Sequence, residues 1–184
     1  MNNYLTMDYH ITYIEEVNTI QLDDFIKAKQ NEFLGEIKAE NEKGSTYNVL
    51  VEPTFYHHIV SVHFVIYAYT GGAHDIRFDK VYYYDLEKNK EISIMDIVNF
   101  NDDFLDLLSY EAYQYLKKEK LDLVYDDEYL LKDGLSPTKK NFDYLVFENN
   151  SLKIIFPPYQ VGPWSSGEIN ALIPYQMIED YLKV

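Results

Sequence analysis

The residues best suited to chemistry fall in two short stretches, Gly71-Gly72-Ala73-His74-Asp75 and Phe156-Pro157-Pro158-Tyr159, the latter followed on the same loop by Trp164. Two adjacent glycines let another chain come close to the backbone and present amides to it beside an imidazole. Such a loop suits recognition, since loops held by a scaffold are the usual carriers of binding. The same residues also read as an ordinary hairpin turn, with its glycines at positive φ and His74 bonding locally. His74 beside Asp75 has the form of an oriented general base, but the sequence places no serine or other nucleophile to use it, which makes a hydrolase the weakest reading. In the second stretch a stiff proline pair carries Tyr159. A rigid backbone with an aromatic tip loses little entropy on binding, as an anchor residue requires. The alternative is structural, with prolines ending a strand and rings capping a core. Gly71, Gly72, Ala73, His74, Pro157, Pro158, Tyr159 and Trp164 are thus the candidate ligand-binding residues, with no catalytic residue, metal or cofactor expected.

Other candidate groups are weaker. His10, His57, His58 and His63 match no zinc spacing, and His63 alternates with Val62 and Phe64 as an ordinary strand residue. Asp102-Asp103 and Asp126-Asp127-Glu128 lack the oxygen-ligand spacing of a calcium loop and do not read as a glycosidase pair; helix caps and solvated faces explain them.

The elements that must position the two loops follow from periodicity. Asp8 to Glu16 alternates as a first strand, and a long amphipathic helix is expected from about Thr19 to Glu40, with Leu22, Phe25, Ile26, Phe33 and Ile37 on one stripe and Gly44 as its stop. Three strands follow. Tyr47 to Phe55 is interrupted by Pro53, Ile59 to Tyr69 sets Val60, Val62, Phe64, Ile66 and Ala68 on one face, and Arg77 to Leu86 is joined to it through the glycine loop. Ser93 to Val98 resembles one helical turn. Asn101 or Asp102 caps a helix whose Leu105, Leu108, Ala112 and Leu116 share a stripe, and Val124 to Lys132 forms a further short helix. Asn141 to Phe147 and Ser151 to Phe156 form a hairpin across Glu148-Asn-Asn150. After the aromatic loop come a last strand, Ile169 to Ile173, and a short helix opened by Pro174. Hairpins dominate the strand connections, which argues for an α+β fold with mainly antiparallel sheet packed with helices. The polar stretch Glu40 to Ser45 divides residues 1–45, a small strand-plus-helix lobe, from a main α+β binding domain over 46–184.

Composition narrows the partners. Lysine and arginine number 16 against 31 acidic residues among 184, a formal charge of −15. That field repels phosphate backbones and anionic membranes and attracts basic partners. With 47% hydrophobic and 16% aromatic residues the chain is too apolar for a disordered acidic tail. Cysteine is absent, which removes disulfides, thiolate metal sites and a cysteine nucleophile. No run reaches the roughly 18 apolar residues of a membrane span, and Met1 to Ile20 shows no signal peptide. The 19 tyrosines suit half-buried sheet faces and contact surfaces.

Three motifs in order carry a resemblance: Val62 to His74 ending Thr-Gly-Gly-Ala-His, then Tyr84-Asp-Leu86 with Ile92-Ser-Ile-Met-Asp-Ile97, then Phe156-Pro-Pro-Tyr-Gln-Val-Gly-Pro163 with Gly167. Together they resemble the extracytoplasmic bacterial domain of unknown function found at the C-terminus of RsiV-type anti-sigma factors and beside some peptidoglycan polysaccharide deacetylases, with its small N-terminal companion lobe. The resemblance implies a fold whose larger part is similar to a piece of the actin-like ATPase (heat-shock cognate) fold. It also implies placement at the cell surface behind an export signal or anchor, neither of which is visible in the chain; a cytoplasmic location is the alternative. Neither a deacetylase domain nor a sigma-binding segment is present. In the anti-sigma branch the resemblance implies a sensor that binds animal-type lysozyme, a basic protein that a charge of −15 would steer inward. The expected function is therefore a non-catalytic envelope module recognising a protein ligand such as lysozyme, with a peptidoglycan-binding accessory domain as the alternative.

Overall fold

The computed structural model describes residues 20–40 and 45–184, so the expected strand at Asp8 to Glu16 and the helix stop at Gly44 lie outside the described residues. Helix α1 (Ile20–Glu40) buries Leu22, Ile26, Phe33, Leu34 and Ile37 at helical spacing. Its target is one face of an antiparallel sheet of β1 (Thr46–Tyr56), β2 (Ile59–Tyr69), β3 (Ile76–Asp85) and β4 (Lys90–Ile92), in that spatial order. Because side chains alternate across a strand, the even-numbered residues of β2 from Val60 to Ala68 form that face. They join Tyr47, Val49 and Val51 of β1 and the α1 stripe in one apolar cluster. Pro53 does not interrupt β1: the strand lies at the sheet edge, where a missing N–H is tolerated, and Pro53 pairs with Val62 in unbroken register.

The opposite face of β2 is buried as well, beneath a second antiparallel sheet of β5 (Leu145–Phe147), β6 (Ser151–Phe156) and β7 (Ile169–Pro174). Three hydrogen bonds tie β5 to the first sheet. Thr54 Oγ1 donates to Phe147 O at 3.0 Å, Phe147 N donates to Ser61 Oγ at 3.0 Å, and Tyr83 Oη donates to Leu145 O at 2.8 Å. Short helix α2 (Ile94–Ile97) starts in a capping box between Ser93 and Asp96. Helix α3 (Asp102–Glu119) is capped by Asn101, whose side chain accepts from Phe104 N at 3.0 Å, and buries Leu105, Leu108, Ala112 and Leu116 in the core of the second sheet.

Three expected elements are shifted. The helix expected at Val124 is α4 (Glu128–Gly134), because the Asp127 carboxylate accepts from the amides of Tyr129 and Leu130 and so sets the start four residues later. Residues Lys139–Phe142 form a 3-10 turn, leaving β5 only three residues long, and Pro174 leads into two 3-10 turns, Tyr175–Met177 and Glu179–Tyr181, instead of a helix. Among the described residues no helix is long and apolar enough to cross a membrane.

Candidate recognition surface and its buried ion chain

The long β2–β3 hairpin carries the glycine loop to the end of the first sheet, where Gly71, Gly72, Ala73 and His74 are all exposed, flanked by the exposed side chains of Tyr69 and Ile76. Gly71 sits at φ +90°, a conformation that side chains other than glycine rarely adopt. Gly72 does not share this conformation, and a Cβ there would meet nothing nearer than His74 O at 3.8 Å, which corrects the expectation that both glycines need positive φ. His74 Nδ1 donates to the Asp75 backbone carbonyl at 2.8 Å, not to its carboxylate, so no His–Asp base pair is formed here.

The aromatic loop is held far more firmly. Pro157 follows the last residue of β6, Tyr159 N donates to Gly162 O at 3.0 Å, and Tyr125 N donates to Val161 O at 2.9 Å. Gln160 Nε2 donates to Gly134 O at 2.8 Å and to Asn141 O at 2.9 Å. Gly162 is required for close approach, since a Cβ would stand 2.4 Å from Leu123 O. Tyr159, at φ +71° and 58% exposed, projects from this braced backbone as a tip. Pro157 and Pro158 are half-buried beneath it.

The structure brings the two stretches together at one point: the rings of His74 and Trp164 stack at 4.5 Å between centroids and 17° between planes. Loops some 90 residues apart in sequence thus share one surface. Tyr159 joins no ring stack among the described residues.

Beneath that surface lies a chain of ionic groups that the sequence reading passed over. On β3, Arg77 and Asp79 face the second sheet. Arg77 Nε donates to Asp79 Oδ2 at 2.8 Å, and its Nη2 reaches both Asp79 Oδ1 at 2.6 Å and Glu168 Oε2 at 2.9 Å. Glu168 also holds Lys153 of β6 at 3.2 Å. On β2, His63 Nε2 donates to Asp79 Oδ1 at 2.8 Å, while Nδ1 stands 3.5 Å from Glu52 Oε2, within ion-pairing range but outside good hydrogen-bond geometry. The sequence of groups Lys153, Glu168, Arg77, Asp79, His63, Glu52 alternates in sign when the imidazole is protonated. The side chains of His63 and Asp79 are each 1% exposed.

Their titration follows from these contacts. Burial would push the His63 imidazole toward neutrality, but the hydrogen bond to Asp79 and the nearby Glu52 carboxylate outweigh it and raise its pKa above the ordinary value. Glu52 is correspondingly lowered, chiefly by His63. Burial would raise Glu168, yet Lys153 and Arg77 bring it down to about 2. Burial alone would likewise lower Arg77; Asp79 and Glu168 reverse this and hold it charged.

A cleft of about 260 Å³ opens at the Glu52 end, lined by Pro53, Thr54, Val146, Glu148 and Lys153 as well as His63. Its one hydroxyl, on Thr54, is already committed to Phe147 O. Among the described residues no three histidine or carboxylate groups are arranged to hold a metal ion. A signal for part of the ion chain was present in the sequence, since Arg77 and Asp79 are two apart in a strand otherwise rich in apolar and aromatic residues and so must share a face. Nothing local points to Glu168, which lies 91 residues from Arg77.

Comparison with known proteins places this architecture. Residues 95–176 match the family described as protein of unknown function DUF3298. The DUF3298 segment runs from α2 into the turn after β7, so it contains the aromatic loop and Glu168 but not the glycine hairpin. The chain is 38% identical over 124 residues to the peptidoglycan-N-acetylmuramic acid deacetylase PdaC of Bacillus subtilis (strain 168), covering 67% of this chain and 26% of that protein. It therefore spans about a quarter of that relative. The crystal structure of a DUF3298 family protein from Pseudomonas aeruginosa PAO1 superposes with a TM-score of 0.67 at 17% identity, covering 96% of this chain and 84% of that one. A DUF3298 member from Bacteroides fragilis NCTC 9343 gives 0.53 at 21% identity, over 94% and 72%. These likenesses show the α+β fold with antiparallel sheets packed with helices.

Proposed function

We propose that this chain is a non-catalytic binding module of the cell envelope that recognises a basic protein ligand of the lysozyme kind. The observation that carries the reading is the His74–Trp164 stack, which makes one surface of the glycine loop and the aromatic loop. Open glycine backbone, a braced tyrosine tip and the exposed Tyr69 and Ile76 supply anchoring area. The net charge of −15 supplies long-range attraction for a cation-rich partner. His74 donates to a backbone carbonyl and not to the Asp75 carboxylate, which favours binding over hydrolysis.

The likeness to a peptidoglycan deacetylase favours a second reading, an accessory domain of a cell-wall enzyme whose aromatic rings stack on glycan sugars. Both readings place the module outside the cytoplasm. Calorimetric titration at low and at physiological ionic strength separates them. Lysozyme affinity that falls with salt, and that Tyr159→Ala lowers by about tenfold or more without moving the thermal midpoint, supports the protein ligand. Affinity for purified glycan strands that survives salt supports the second reading, and no binding to either overturns both.

A further inference from the structure

We propose that the Arg77–Glu168 ion pair is the clasp that joins the glycine hairpin and the aromatic loop into a single surface. Arg77 follows the hairpin loop by two residues, and Glu168 follows the Trp164–Ser166 turn by two. The pair therefore sits at the base of both loops, where a 2.9 Å contact fixes their separation. Beyond it, the exposed hairpin tip meets the aromatic loop at the His74–Trp164 stack.

Both ends of the clasp are themselves anchored. Asp79 grips the Arg77 guanidinium through two parallel hydrogen bonds, which fixes the plane of the fork and aims Nη2 at Glu168. Lys153 at 3.2 Å and Asn170 Nδ2 at 3.3 Å hold the other oxygen of Glu168. The Arg77 side chain is 3% exposed, so water competes poorly for the pair and screening is weak. A lysine at 77 would keep the charge but lose the fork that serves two carboxylates at once. Arg77 and Glu168 are positioning residues: they act on the ligand through the placement of His74 and Trp164.

The inference rests on the reading of the two loops as the recognition surface, but its test needs no ligand. Trp164 is the single tryptophan of the chain, so its ring protons are identified without ambiguity and their nuclear Overhauser cross-peak to the His74 ring reports the stack directly. In a folded Glu168→Gln protein the cross-peak should be lost while the thermal unfolding remains cooperative. Lysozyme affinity, where present, should fall in parallel. If Glu168→Gln does not fold, Arg77→Lys replaces it, with a weakened cross-peak expected. A cross-peak at wild-type strength in a folded variant of either kind overturns the clasp. A lost cross-peak with no ligand binding in the wild type upholds the clasp and defeats only the proposed function.

Discussion

The two faces of β2 solve the same burial problem in opposite ways. Val60, Val62, Phe64, Ile66 and Ala68 meet α1 through side chains that need no partners. On the other face, Ser61 and His63 hydrogen-bond across to β5 and β3, and Arg77 and Asp79 of β3 continue the polar line toward β7. The apolar face gains from area removed from water and tolerates small shifts. The polar face breaks roughly even on burial, because desolvation offsets the attraction of the ions, but it accepts only one register of strands and loops. A strand that looks uniform in composition thus contributes cohesion on one side and alignment on the other.

Single substitutions can break this contrast. Phe64→Ala on the apolar face and Asp79→Asn on the ionic face should each cost about 3–5 kcal/mol, the first through a cavity and the second by leaving Arg77 and His63 buried without their shared carboxylate. Chemical denaturation measures both. The costs should differ in kind, because only the Asp79→Asn loss should change with pH.

Measured across pH, the ionic face should show two limbs that the apolar face lacks. His63 has a raised pKa when folded, so its contribution is complete below its unfolded value of about 6.5 and is lost as pH climbs through the folded value. Glu168 runs the other way. Its contribution is complete above about 4.5 and is lost as pH falls toward 2, and allowing for partial exposure it amounts to something on the order of 2 kcal/mol. His63→Gln should flatten the alkaline limb of the thermal midpoint and Glu168→Gln the acid limb, with Phe64→Ala shifting the whole curve down unchanged in shape. A Glu168→Gln protein that keeps its acid limb would remove Glu168 from this account.

The smallest effects lie in the hairpin loop. Gly71→Ala should cost about 1 kcal/mol, because the alanine must hold a left-handed backbone. Gly72→Ala should stay within about 0.5 kcal/mol, since its backbone is ordinary and its surroundings open. Thermal midpoints of the two variants side by side decide the point, and equal losses would show that the loop's φ angles are misassigned.

Much of this was legible in the chain. Period-two alternation placed β2 at Ile59–Tyr69 and named its apolar face, and the helical stripes of α1 and α3 were read correctly, because each signal is local and repeated over many residues. The glycine and proline punctuation marked both loops for the same reason. The start of α4 and the shortness of β5 were not legible: a single carboxylate cap decides the first, and a 3-10 turn takes residues whose pattern fits a strand equally well.

Composition and pattern by themselves determined the fold class, the two candidate loops and the negative field. Only the tertiary structure decided that His74 meets Trp164, that Tyr159 joins no ring stack among the described residues, and that His63, which alternates with valine and phenylalanine as any strand residue would, belongs to a line of ions crossing between two sheets. The reason is physical. A residue's face is set by its immediate neighbours, but the partner it finds there depends on strand order and register, and Glu168 reaches Arg77 only once the second sheet has packed across the first.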